Sequence, residues 1–258
     1  MPNLSPHCRI IAFTNCRIEI MCTVTFIPHT AGVIMASNRD EQVLRRMAQM
    51  PAAYQYNNRT IVFPKDGQAG GTWIGMNDSG QVMVLMNGGY QRHQMGGTYR
   101  KSRGLVFLDI FQEEDPYAQF EKIDLDQIEP FTLILWTGKE LWDLRWDGAQ
   151  KHKTPADPGT VHIWSSTQLY TPEVRMQREV WFREWLEQTD IQHISVAEVT
   201  AFHTFGGNGG DEENRLVMHL GDFLKTISIT TIDWQPGNMT MHYHDLVQDV
   251  SSSETLRF

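Results

Sequence analysis

The tetrapeptide Asn77-Asp78-Ser79-Gly80 separates two apolar segments, one ending Trp73-Ile74-Gly75-Met76 and the other running Gln81-Val82-Met83-Val84-Leu85-Met86-Asn87. Asn, Asp and Ser side chains bond back onto their own backbone and glycine accepts positive φ, so this composition folds as a tight turn. Between strand-forming residues it predicts a β-hairpin, here with Asn87 opposite Gly70. The arrangement recurs. Residues 22–27 and 33–37 flank His29-Thr30-Ala31-Gly32, residues 131–137 and 141–146 flank Gly138-Lys139, and residues 226–232 and 239–243 flank Pro236-Gly237-Asn238. Strands are also expected over 161–165 and 216–219. Strands joined by such short connections pair antiparallel.

Helical signals lie between these groups. Ser102 is placed to cap a helix over 104–112, and Asp115-Pro116 opens a short one. Thr171-Pro172 opens the longest, to about Glu187, with Val174, Trp181 and Trp185 on its core face. Ser195 and Glu198 form a capping-box pattern. The glycine-rich run 206–210 is expected to be a mobile loop and the chain from Ser251 a frayed tail. Hairpins and helices in this order predict an α+β layered domain over 22–250, with 1–21 as an extension and 251–258 as a flexible tail.

The 258 residues are 41% hydrophobic, enough for a substantial core, and carry a net charge of −9. An acidic chain without Lys/Arg runs argues against nucleic acid and anionic membranes as partners. No apolar stretch approaches the roughly 20 residues needed to span a bilayer. The longest apolar run near the start is Ile10-Ile11-Ala12-Phe13, too short for a signal peptide.

All three cysteines, Cys8, Cys16 and Cys22, fall in the first 22 positions, and Cys22 follows Met21. If the functional chain starts at Cys22, by an internal start or by removal of 1–21, that residue carries both a thiol and a free α-amine. Their pKa values, roughly 8.5 and 7.7–8.0, are close enough for the amine to take the thiol proton, so no histidine is needed. A chain with one cysteine suits a reducing, cytoplasmic compartment. The first hairpin puts Cys22 opposite Arg39, with Asn38 and Asp40 beside it. Asp40 can orient the ammonium, Arg39 can stabilise the thiolate or grip a substrate oxygen, and Asn87 with a backbone N–H can form an oxyanion hole. Each feature alone has a plainer explanation: a small buried hydrophobe for Cys22, a surface ion pair for Asn38-Arg39-Asp40-Glu41, turn chemistry for Gly70-Gly71 and Asn87. Their convergence from two hairpins favours a site.

Met21-Cys22, Asn38-Arg39-Asp40-Glu41, Gly70-Gly71-Thr72-Trp73-Ile74-Gly75 and Ser102-Arg103-Gly104 together resemble the Asn-Arg-Asp-Glu family, that of transport and Golgi organisation protein two, from Met21 to about Asp245. The strand ending Leu85-Met86-Asn87 is similar to that of the oxyanion asparagine in bile-salt hydrolases and penicillin V acylases, which are N-terminal-nucleophile (Ntn) hydrolases. The resemblance implies a four-layer αββα sandwich of antiparallel sheets, with Cys22 as nucleophile, Asn38, Arg39 and Asp40 beside it, and Asn87 in the oxyanion hole. Where relatives carry a Ser-Asn pair this chain has Ser165-Ser166, and Lys225 replaces a common arginine. The animal member is linked to lipid and haem handling and to membrane traffic.

The expected function is a cysteine hydrolase or acyltransferase acting on an amide, ester or thioester, with Gly71, Trp73, Tyr90, Ser166 and Tyr170 around a small acyl or apolar ligand. The alternative is a non-catalytic binding or trafficking protein holding a lipid or haem in the same pocket. No cofactor is expected and no metal: His242-x-His244 offers two imidazoles on what reads as an exposed edge strand, without a third ligand. The oligomeric state is open.

Overall fold

The computed structural model describes residues 23–57, 59–93 and 99–258. Strands β1 (Thr23–His29) and β2 (Gly32–Gln42) form the first hairpin, with Thr23 opposite Asn38 and His29 opposite Gly32, the register expected from the sequence. Strands β3 (Gln49–Tyr56), β4 (Arg59–Lys65), β5 (Ile74–Asn77) and β6 (Val82–Asn87) follow. After helices α1 (Arg103–Phe111) and α2 (Pro116–Lys122), strands β7 (Phe131–Trp136), β8 (Leu141–Trp146) and β9 (Lys151–Ala156) complete a seven-stranded antiparallel meander, β3 to β9 in sequence order. The chain then returns to the first sheet as β10 (His162–Ser165), which pairs with β1. Helices α3 (Pro172–Leu186) and α4 (Val196–Phe205) lead to β11 (His219–Leu220), β12 (Leu224–Gln235), β13 (Asn238–Asp245) and β14 (Val250–Arg257). The first sheet is ordered β10-β1-β2-β12-β13-β14, with β11 on the flank of β12.

Alternation along β1 and β2 explains the layering. Val24, Phe26 and Met35 belong to one buried cluster with Ile61, Val84 and Leu133 of the second sheet. Phe26 meets Trp136 edge-on at 5.4 Å across that interface. The intervening residues Ile27, Ile34 and Ala36 pack instead with Phe182 of α3 and Val199 and Phe202 of α4. On the far side of the second sheet, Phe107 and Phe111 of α1 pack over Gly75, and Phe120 of α2 meets Phe131. The chain is thus an α+β sandwich of four layers, α3/α4, sheet, sheet, α1/α2.

Several expectations are corrected. The Asn77–Gly80 turn contains one more residue than a two-residue hairpin loop: Gly80 adopts φ 74, and Asn77 N–H bonds to Gln81 O at 3.0 Å. That extra left-handed residue shifts the register by one, so Ile74 faces Val84. Asn87 pairs with Phe131 of β7. The segment from Ser251, read as a frayed tail, is β14 and pairs along the whole of β13. Strand β13, with His242 and His244, is therefore interior. In α3 the buried residues are Arg178 and Phe182, while Trp181 and Trp185 are only half-buried. Trp181 covers Gly207 of the glycine-rich loop, and Trp185 stacks on Phe202 at 4.7 Å.

A bulge interrupts β12. Thr226 faces Asp40 and Ser228 faces Arg39, leaving Ile227 as the extra residue.

Candidate active site

Cys22 lies outside the described residues. The next residue, Thr23, sits between Asn38 of β2 and Ser165 of β10. Around it the polar residues of β2 sort onto two faces.

On the helix side, Asn38 donates from Nδ2 to the carbonyls of His203 (3.0 Å) and Leu216 (2.8 Å). Its Oδ1 accepts from His203 Nδ1. Since Oδ1 has no hydrogen to give, His203 carries its proton on Nδ1, and Nε2 accepts from Thr25 Oγ1 at 2.8 Å. Complete burial, reinforced by the charge of Arg178, lowers the His203 pKa from 6.5 to about 3, so the ring is neutral. Arg178 is wholly buried. It donates to Thr23 Oγ1 and to the carbonyls of Asn214 (3.1 Å) and Arg215 (2.7 Å). Its guanidinium lies 3.7 Å from the ring centre of Tyr170, whose hydroxyl donates to Asp40. Thr226 donates to the other oxygen of Asp40.

On the inter-sheet side, Arg39 and Arg45 converge on Asp66. Arg39 Nη2 donates to Asp66 and to Glu41 at 3.3 Å. Arg45 makes a two-pronged contact with Asp66 at 2.9 and 3.0 Å. Burial pushes the Asp66 carboxyl up, but the Arg45 hydrogen bond, the Arg39 charge and the Ala69 N–H outweigh it and hold the pKa at about 2. For Glu41 the order of strength is reversed: burial raises it to about 7, and Arg39 and Arg45 offset this only in part. The Arg39 guanidinium lies 3.9 Å over the Trp73 ring, a cation–π contact.

Arg39, Gly71, Trp73 and Asn87 line one cavity of about 30 Å³, with Ser102 and Arg103 at its helical wall. Gly71 is required here by close approach: a Cβ would fall 2.3 Å from the Gly104 carbonyl carbon. This contact accounts physically for the two glycine motifs, because it seats the start of α1 against the strand carrying Trp73.

The remaining expected residues are distributed differently. Ser166 is buried and donates to the main-chain carbonyl of Asn87 at 2.8 Å, so its hydroxyl fixes the end of β6. Tyr170 lies on the helix side, between Arg178 and Asp40. Tyr90 is 46% exposed and packs on Arg145 and His152, away from the cavity lining. Arg178, His203 and Asp66 are the residues that sequence reasoning passed over. The spacing Val199-x-x-Phe202-His203 marks His203 as core-facing, and Asp66-Gly67 is a turn signal just before Gly70-Gly71.

A family model described as Transport and Golgi organisation 2 matches residues 21–233. An uncharacterized protein of Saccharomyces cerevisiae is 34% identical over 103 residues, covering 34% of this chain and 32% of the yeast protein, so the match spans about a third of that relative. Among solved structures, the Caenorhabditis elegans ortholog of N-acylethanolamine-hydrolyzing acid amidase superposes with a TM-score of 0.58 at 13% identity, covering 82% of this chain and 92% of that one. A mutant conjugated bile acid hydrolase from Clostridium perfringens superposes at 0.52 with 10% identity, covering 92% and 97%. These likenesses give the chain the Ntn-hydrolase fold. No helix of the described residues is long and apolar enough to cross a membrane.

Proposed function

The chain belongs to the Transport and Golgi organisation 2 family, and from that premise we propose that it is an N-terminal-cysteine hydrolase or acyltransferase acting on an amide, ester or thioester of a small molecule. The observation that carries this is the register of the first hairpin. Thr23 faces Asn38, and this register supports the reading of Cys22 as a neighbour of the Asn38-Arg39-Asp40 cluster. The solved neighbours named above are an amidase and a hydrolase, which supports acyl chemistry on this fold.

In the proposed reaction, the functional chain begins at Cys22 and the α-amine takes the thiol proton. The thiolate adds to the carbonyl carbon, and the oxygen gains charge beside Asn87 and Arg39. Collapse expels the amine, alcohol or thiol leaving group, which takes the proton from the ammonium. The Cys22 thioester then passes its acyl group to water or to another nucleophile. Asp40 steadies the ammonium, and Asn38 with Arg178 fixes the strand. A cytoplasmic, reducing setting keeps Cys22 a thiol.

One observation favours a second function. The Ser166 hydroxyl is engaged by Asn87, in the place where relatives have an asparagine side chain. A site short of one oxyanion donor suits a carrier of an apolar ligand, a lipid or haem.

The deciding experiment is intact-mass determination of natively expressed protein, followed by labelling with an acyl-trapping electrophile. A chain beginning at Cys22 whose labelling is abolished in Cys22→Ala is expected. A mature chain that retains residue 21, or labelling unchanged in Cys22→Ala, sinks the hydrolase. Ligand binding that survives Cys22→Ala without turnover supports the carrier.

A further inference from the structure

Three residues that line the cavity beside Arg39 each carry a buried polar atom that nothing among the described residues engages: Nη1 of Arg39, Nε1 of Trp73 and Oγ of Ser102. Arg39 and Trp73 are each 2% exposed. Buried polar atoms are almost always paired, so three orphans on one small space call for an explanation. Ser102 adds to the anomaly. It occupies the N-cap of α1, where a serine hydroxyl ordinarily accepts from the first turn, yet it makes no cap bond.

The surroundings favour negative charge. The first turn of α1 has no acidic residue, and although the N–H groups of Leu105 and Val106 are taken by the Ser102 carbonyl, the N-terminus of α1 is the positive end of its dipole. Arg39, Arg45 and Arg103 line the cavity with two carboxyls, Glu41 and Asp66, and Arg103 is paired behind it with Glu129 at 3.1 Å. Two of the orphans, guanidinium and indole N–H, can only donate. A volume of about 30 Å³ admits a group of two or three heavy atoms.

We propose that this cavity is a carboxylate subsite, in which the two oxygens of a ligand carboxylate accept from Arg39 Nη1, Trp73 Nε1 and Ser102 Oγ at the N-terminus of α1. Three donors match a carboxylate, which has about four acceptor positions, better than a single carbonyl oxygen. The proposal rests on the hydrolase reading only in assigning that carboxylate to the substrate, which is then an amide, ester or thioester bearing a free carboxylate near the scissile bond. Binding itself does not need Cys22.

The test uses the full chain with Cys22→Ala, so that no turnover intervenes. Sodium acetate, acetamide and sodium phosphate are titrated calorimetrically at constant ionic strength. Acetate is expected to bind at least about tenfold more tightly than the neutral amide or phosphate. Trp73→Phe, which keeps the ring beneath Arg39, and Ser102→Ala are each expected to weaken acetate about tenfold. Because the Ser102 hydroxyl has no partner in the ligand-free protein, Ser102→Ala is not expected to lower its melting temperature by more than about 2 °C; Trp73→Phe, which opens space in the core, is judged by its acetate affinity alone. Acetamide binding as tightly as acetate marks a neutral or water site and overturns the proposal, as does a preference for phosphate. It is also overturned if both variants bind acetate like their parent, or if Ser102→Ala melts far lower without ligand. Acetate binding in Cys22→Ala alongside an intact chain that traps no acyl group leaves the subsite standing and removes the hydrolase.

Discussion

Strand β2 presents Asn38 and Asp40 to the helices and Arg39 and Glu41 to the opposite sheet, and the two faces are completed differently. On the helix side both ends of the Asn38 amide and all three nitrogens of Arg178 have partners. On the inter-sheet side charges are paired, yet Arg39 Nη1, Trp73 Nε1 and Ser102 Oγ stand orphaned around a small space. A filled network holds a strand in place; an unfilled one is available to something else. The faces also respond oppositely to pH. His203 has its pKa lowered from 6.5 to about 3, so its contribution to stability is present above 6.5 and is lost as pH falls. Glu41 is raised from 4.5 to about 7, so its contribution is complete below 4.5 and declines as pH rises toward 7.

The largest way to break this contrast is Asn38→Ala. It leaves the buried His203 carbonyl and the His203 Nδ1 proton without partners and takes from the Leu216 carbonyl its shorter hydrogen bond, and a loss of about 4 kcal/mol is expected in urea unfolding. Glu41→Gln comes next. Removing the ionisation should flatten stability between pH 4.5 and 7, where the parent loses about 3 kcal/mol, as measured by melts across that range. A variant whose slope matches the parent's would place the titrating group elsewhere. The smallest effect is expected from Ser102→Ala, less than about 0.5 kcal/mol, although N-cap serine replacements typically cost about 1 kcal/mol. A full cap penalty would mean that the two faces are alike.

How much of this was legible depended on where strands lie in their sheets. The β1–β2 register was readable because a two-residue loop, Thr30-Ala31, joins strands whose apolar residues leave one pairing. The β5–β6 register was misread by one because nothing in the sequence distinguishes Gly80 as the last residue of a two-residue turn from Gly80 as an added left-handed one. The strands passed over include β3, β9 and β14, and each is an edge strand. Pro51, Pro155 and the polar run Ser251-Ser252-Ser253 discourage further strand addition there, and the same residues hide the strands from a hydrophobicity pattern. Strand β4, with its brief Ile61-Val62-Phe63 core, also went unassigned.

In the site, Asn38, Arg39, Asp40 and Asn87 were found because they end apolar strands. Arg178 was not, because a buried arginine in the helix Pro172–Leu186 looks like its exposed neighbour Arg183. Only its spacing four residues before Phe182 distinguishes it. The orphaned donors could not be read from sequence, since an unmet hydrogen bond is a property of three-dimensional neighbours.

The bulge at Ile227 has a consequence for how this fold tolerates change. In an unbroken strand, Thr226 and Ser228 would point the same way. Here Thr226 joins Asp40 on the helix side, while Ser228 stands beside Arg39 on the other. One added residue inverts the parity of β12 midway along its length, so a single strand serves both faces of β2. Downstream positions inherit the inverted count: Thr231 reaches Thr200 of α4, and Ile232 enters the core between the sheets. Deleting that one residue would therefore transpose inside and outside for half a strand.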